Sequence, residues 1–334
     1  MKAAILKGID MPLVVESVAT PALGANDVLV KLKAASLNKR DWWIQKGQYA
    51  GLKFPIVLGS DGAGIVDAVG ANVDKSLMGK EVVIYPGIHW GDNERGFTPQ
   101  TFSILGLPDD GCLAEYVKIN AENVFPKPAQ LSFEETAALP VAGLTAFRAL
   151  FIRGQWQKGE RVLISGVGGG AGSFALQWAL AAGAEVWVTS GSEKKIEKAI
   201  QLGAKGGVRY TAENWEKELQ AKAGDFDVII DSALGDGFAK LVSLAAPGGR
   251  IVFFGGTGGN IPALNGRAVF WKQISILGTS LGSPKNFETM LKFVSDKKIH
   301  PIIDNVFSLN DAEKAMRTMD THSDKFGKTV LKID

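Results

Sequence analysis

The chain has 334 residues, 46% of them hydrophobic, which suffices for at least one sizeable core and points to two. Its 37 basic and 35 acidic residues leave a formal charge of +2 and are well mixed, so there is no electrostatic footprint for nucleic acid and no basic helix for a membrane surface. A single cysteine, Cys112, excludes an internal disulfide and suits a reducing, cytoplasmic setting.

The opening MKAAILKGIDMPLVVESV is broken by Asp10 and Glu16, and no later stretch reaches about 18 uninterrupted apolar residues, so neither a signal peptide nor a spanning helix is expected. Through about residue 125, short β segments alternate with Gly/Pro/Asp turns: AAIL, DVLVKLKAAS (27–36), AGIVDAVG (63–70), KEVVIY (80–85) and AEYVKI (114–119). That spacing predicts a compact, mostly antiparallel β domain. From about Leu131 the period changes, with Ser132 as an N-cap and Glu135 at capping-box spacing.

Strand and helix signals then alternate: RVLISG, SFALQWALAAG, EVWVTS, EKKIEKAIQLG, FDVIIDSA and RIVFFGG. Runs of Val and Ile without period-2 alternation are expected of strands buried on both faces, and the order predicts a doubly wound α/β domain with a parallel sheet. QISILGTSLGS (273–283) reads as its last strand. A helix, NFETMLKFVSDKK, follows Pro284, and the closing strand KTVLKI is expected to pack back onto the β domain. The expected division is therefore 1–125 with 284–334, and 126–283.

VLISGVGGGAG (162–172) admits two readings, a flexible linker or a backbone shaped for a phosphate. A linker would be polar on both sides, whereas this stretch joins an apolar strand to an amphipathic helix ending at Gly183. Gly166, Gly169 and Gly172 give G-x-x-G-x-x-G, and Gly166, Gly168 and Ala171 give G-x-G-x-x-A; Gly170 completes the run. Without side chains the main chain can turn tightly and approach a pyrophosphate, and the N–H groups and dipole at the helix start favour the anion.

The end of the second strand selects the cofactor. Sites for NAD place an Asp or Glu there, but VWVTSGSEKK offers Ser190 with Lys194 and Lys195 close behind, and Glu193 falls in the following helix. Ammonium and hydroxyl groups welcome a 2′-phosphate that a carboxylate would repel, so the expected cofactor is NADPH. The alternative, that these lysines are a solvated helix start, stays open.

The motifs ASLNKRDWWIQKG (35–47), FPIVLGSDGAGIVDAVG (54–70), GCLAEYV (111–117), ALPVAGLTAFRAL (138–150) and the glycine loop, in this order, resemble the medium-chain dehydrogenase/reductase superfamily over essentially the whole chain. Within it the chain is most similar to the zinc-independent quinone oxidoreductase and enone reductase branch. The resemblance implies a GroES-like catalytic domain and a Rossmann domain. It aligns Asn38, Ser60 with Asp61, and Val141 with the catalytic zinc positions of related alcohol dehydrogenases. Serine and valine cannot replace imidazole and thiolate. The loop GIHWGDNERGFTPQTFSILGLPDDGC lacks the four thiols of the structural zinc lobe. With one Cys and three His (His89, His300, His322), no zinc site is expected.

Loss of a Lewis acid makes hydride transfer to an isolated ketone harder, whereas quinones, enones and enals, which delocalise the incoming charge themselves, suffer less. The resemblance assigns Asn38 and Tyr49 to the substrate side, with Trp43 where many quinone oxidoreductases have tyrosine. It assigns Lys195 and Tyr210 to the 2′-phosphate, Thr145 to the nicotinamide end, and Phe254, Gly255 and Thr257 to the nicotinamide ribose. The resemblance also implies a homodimer, paired across a two-fold at the last sheet strand. Two other readings stay open: an aldehyde reductase or alcohol dehydrogenase using NADP, and a non-catalytic NADPH-binding sensor.

Overall fold

The ten-residue strand Asp27–Ser36 is the spine of the first unit. One of its edges pairs antiparallel with Asp61–Val69 along most of its length. The other edge is shared, Asp27–Lys31 pairing with Tyr116–Asn120 and Ala34–Ser36 with the chain's last strand, Lys328–Lys332. The terminus thus returns to the β region, as expected. Glu81–Ile84 and Val124–Pro126 extend the sheet on one side and Ile303–Ser308 on the other. A three-stranded sheet, Val14–Ser17, Lys2–Leu6 and Ile56–Val57, completes the layers. Leu6, Val30, Leu32, Ile44, Leu58, Leu113 and Leu331 share the core beneath them. This computed structural model describes residues 1–319 and 324–334.

Chain contacts define two units, one of Met1–Ala142, Gly282–Ser323 and Lys328–Asp334, the other of Gly143–Leu281 with Asp324–Gly327. The helix Phe133–Ala138, which opens the second domain in the sequence reading, belongs to the first unit. It starts at the expected capping box, Glu135 N–H donating to Ser132 Oγ and Ser132 N–H to Glu135 Oε2. Its Ala137 and Ala138 pack on Ala34, Ala63 and Val330, and only such small side chains let a helix lie this close to a sheet.

The second unit is a six-stranded sheet in the order Gly206–Arg209, Glu185–Ser190, Arg161–Ser165, Phe226–Asp231, Ala245–Phe253, Ser275–Gly278. Every pairing is parallel, so the order is that of a doubly wound dinucleotide-binding sheet. The apolar runs are fully buried at Val162, Leu163, Ile164, Val228 and Ile229, as strands covered on both faces require. Among the described residues no helix is long and apolar enough to cross a membrane.

Candidate functional site

In the second unit the glycine loop follows Arg161–Ser165, and the helix begins at Gly170, three residues before the apolar pattern SFALQWALAAG. Gly170 and Ala171 therefore form the first turn rather than the loop. Gly166 and Gly168 have φ of +77° and +119°, the left-handed region that glycine enters without strain. The loop is tied to the neighbouring strand, Gly166 N–H donating to Thr189 Oγ1 and Val167 N–H to Thr189 O. Gly169 caps the helix with no side-chain hydrogen bond, so no cap side chain supplies an acceptor to the first-turn N–H groups, the arrangement that suits an anion.

The groups expected to read the adenosine end gather where Glu185–Ser190 stops. Ser190 Oγ accepts from Ser192 N–H, and Tyr210 N–H donates to Ser190 O. A side chain at Gly191 would begin 2.9 Å from the Tyr210 hydroxyl, and one at Gly168 would meet Lys195 Cδ at 2.7 Å. Lys195 thus lies along the glycine loop, and Tyr210 beside the strand-end turn. The sequence reading missed Asp324, whose carboxylate accepts from Ser192 Oγ at 2.6 Å and pairs with Lys194 at 3.0 Å.

At the ends of the next two strands, Phe254 N–H donates to Asp231 O and Gly258 N–H to Ala233 O, which fastens the loop of Phe254, Gly255 and Thr257 to its neighbour. Asp231 accepts from Leu234 N–H, and burial raises its carboxyl above the ordinary range. It organises the turn. Thr145 is buried on the helix Pro140–Phe147.

The first unit holds a separate polar cluster. Asn38 caps the helix Lys39–Gln45, its N–H donating to Asp41 Oδ2. Its amide is fixed at both ends: Oδ1 accepts from Lys328 Nζ at 2.6 Å and Nδ2 donates to Asp61 Oδ2 at 2.8 Å. Asp61 Oδ2 also accepts from Ser36 Oγ and Lys328 Nζ, and Oδ1 accepts from Val141 N–H. Asp61 is fully buried and Lys328 is 3% exposed, so each charge is compensated by the other. Burial raises the Asp41 carboxyl, against the lowering influence of Arg40.

Arg40, a second residue the sequence reading passed over, is buried with a guanidinium that donates to Ser60 Oγ at 2.5 Å and Leu105 O at 2.9 Å. It also lies over the Tyr49 ring, 5.1 Å from its centroid, with Nε 3.5 Å from the phenol oxygen. Trp43 is half-buried, under the Lys39 ammonium. An arginine on the apolar side of KRDWWIQ was the available signal.

These donors do not suit a divalent metal. Asp61 Oδ2 is taken up by an ammonium and two neutral donors and Oδ1 accepts from Val141 N–H, Ser60 is held by a guanidinium, and Val141 has no side-chain ligand atom. Cys112 is fully buried, and burial pushes its thiol well above the ordinary range, away from the thiolate a metal needs. Among the described residues no group of three His, Cys, Asp or Glu could hold a metal ion. His89 is exposed, His300 pairs with Glu135, and His322 lies outside the described residues.

Two family models match: "Alcohol dehydrogenase GroES-like domain" over residues 24–129 and "Zinc-binding dehydrogenase" over residues 170–296. The chain is 34% identical to the zinc-type alcohol dehydrogenase-like protein YogA of Leptosphaeria maculans, across 96% of this chain and 95% of that protein. It is 29% identical to the quinone oxidoreductase of Mus musculus, across 94% and 91%. A crystal structure described as an NAD-dependent alcohol dehydrogenase superposes with a TM-score of 0.92 at 37% identity, covering 100% of both chains.

Proposed function

The chain belongs to the medium-chain dehydrogenase/reductase superfamily of oxidoreductases, and from that premise we propose that it is an NADPH-dependent, zinc-independent reductase of quinones or of the activated C=C bonds of enones and enals. The observation that carries this reading is the occupation of the Asn38, Ser60 and Asp61 positions by internal hydrogen bonds to Lys328 and Arg40. A protein without a Lewis acid is best matched to an acceptor that spreads negative charge through its own conjugation.

NADPH, when bound, supplies the hydride. Gly166, Gly168, Gly169, Gly170 and Ala171 would hold its pyrophosphate through the main chain. Ser190, Lys195 and Tyr210 would hold the 2′-phosphate, and Thr145, Phe254, Gly255 and Thr257 the nicotinamide half. Asn38 would orient the substrate with its remaining amide hydrogen, because Lys328 and Asp61 leave it one rotational setting. Tyr49 would donate the proton, with the Arg40 guanidinium compensating the phenolate charge that develops. Trp43 would wall the substrate.

The protein would work in the cytoplasm as a homodimer. Support for the dimer comes from the edge strand Ser275–Gly278, which pairs on one side only, and from Phe270 and Trp271, 67% and 82% exposed on the preceding helix. A second reading, alcohol or aldehyde turnover, is favoured by the 37%-identical alcohol dehydrogenase structure.

An NADPH-oxidation screen of metal-stripped protein against quinones, enones, enals and saturated aldehydes decides between them. Turnover confined to conjugated acceptors supports the reductase, and turnover of saturated aldehydes alone supports the second reading. Lys195→Ala should raise the KM for NADPH about ten-fold or more and leave that for NADH unchanged, and equal effects would remove the 2′-phosphate assignment.

A further inference from the structure

We propose that Asp324 is an internal anion lodged in the 2′-phosphate subsite, where it limits how strongly this protein prefers NADPH over NADH. The proposal rests on the NADPH reading above. Doubly wound sheets read the adenosine ribose at the end of the second strand, with a carboxylate when the 2′ position is a hydroxyl and with cations when it is a phosphate. This chain brings both to one place.

The cations and hydroxyls come from the turn after Glu185–Ser190, as Ser190, Ser192, Lys194 and Lys195. The carboxylate comes from a residue 132 positions beyond Ser192. Its Oδ1 accepts from Ser192 Oγ at 2.6 Å and its Oδ2 lies 3.0 Å from Lys194 Nζ. The hydrogen bond from Ser192, followed by Lys194, holds the Asp324 carboxyl below the ordinary carboxylate range, so it is charged at neutral pH.

The segment carrying it is seated within the second unit. Gly327 N–H donates to the carbonyl of Gly168, and Lys198 stands 5.1 Å from the centroid of the Phe326 ring. The Asp324 segment is thus fastened to the glycine loop at Gly327 and to the strand-end turn through Ser192.

Two opposite consequences follow for the two cofactors. A 2′-phosphate held by Ser190, Lys195 and Tyr210, which carries close to two negative charges, would compete with Asp324 for the neighbouring Ser192 and Lys194 and be repelled by its carboxylate. A 2′-hydroxyl can donate to Asp324 instead. The pair with Lys194 is exposed, so displacement is cheap enough for NADPH to bind, but not free.

The test uses the full chain and two probes that differ only in the 2′ group, adenosine 2′,5′-bisphosphate and 5′-AMP, titrated calorimetrically into wild type, Asp324→Asn and Asp324→Ala. Both variants should bind the bisphosphate about five-fold more tightly and 5′-AMP no more tightly than wild type. NADPH and NADH should follow the same pattern. If wild type prefers the bisphosphate and neither variant increases that preference, the role of Asp324 is overturned while the NADPH reading stands. Weaker bisphosphate binding in the variants overturns it too, by making Asp324 part of the grip. Equal binding of the two probes by all three proteins overturns the NADPH reading itself.

Discussion

The glycine loop of the second unit and the polar cluster of the first solve the same problem, holding charge in place, with opposite materials. The loop uses mainly backbone: Gly166 and Gly168 in left-handed conformation and a bare first helical turn, with the Thr189 hydroxyl of the neighbouring strand accepting from Gly166 N–H. The cluster uses side chains: Asp61, Lys328 and Asn38 hold one another through buried hydrogen bonds between residues up to 290 positions apart, and Arg40 holds the adjoining Ser60. A backbone device tolerates change in its surroundings but not at its own glycines. A side-chain device fails when any one partner is removed, because a buried charge is then left alone.

The largest expected effect breaks the side-chain device. Lys328→Met should cost about 3–5 kcal/mol, since Asp61 would be left fully buried with no cation beside it. Denaturant unfolding measures this, and Asp61→Leu combined with Lys328→Met should recover part of the loss. A single variant as stable as wild type would show the pair to be dispensable.

Next in size is Tyr49→Phe, which should lower kcat for an enone about a hundred-fold with little change in KM, the usual scale for a proton donor in the transition state. An unchanged kcat would reduce Tyr49 to a wall of the site.

The smallest effects sharpen the backbone side of the contrast. Gly168→Ala, at φ +119° and with Lys195 Cδ 2.7 Å from the new methyl, should cost about 1–2 kcal/mol of stability. Gly169→Ala meets nothing within 4 Å and keeps a negative φ, so its stability should change by less than about 0.5 kcal/mol. On the proposed function it should nevertheless weaken NADPH binding, because that open side would receive the pyrophosphate. Melting curves paired with NADPH titrations separate the two, and identical behaviour would sink the distinction.

Much of the fold was legible because its signals are local. DVLVKLKAAS is a strand over the residues expected, Ser132 and Glu135 form the capping box their spacing predicts, and the glycine run joins strand to helix. The helix start at Gly170 was less legible, since apolar periodicity first shows at Ser173. Ser190, Lys195 and Tyr210 were singled out from the sequence, by the end of a strand and by the resemblance, and they lie about the turn that follows that strand or along the glycine loop. Arg40 and Lys328 were not, because a charged residue in an apolar segment does not reveal which distant partner neutralises it.

The sequence by itself determined the order of strands and helices, the positions where only glycine fits, and the absence of thiols and imidazoles enough for a zinc lobe, since each depends on residue type and near neighbours. Only the tertiary structure decided that Lys328 neutralises Asp61, that Arg40 sits against Tyr49, and that Asp324 faces Lys194. The first and the last are pairings of charges across long stretches of chain, and such pairings form only when packing removes water from between them or holds both partners on one surface.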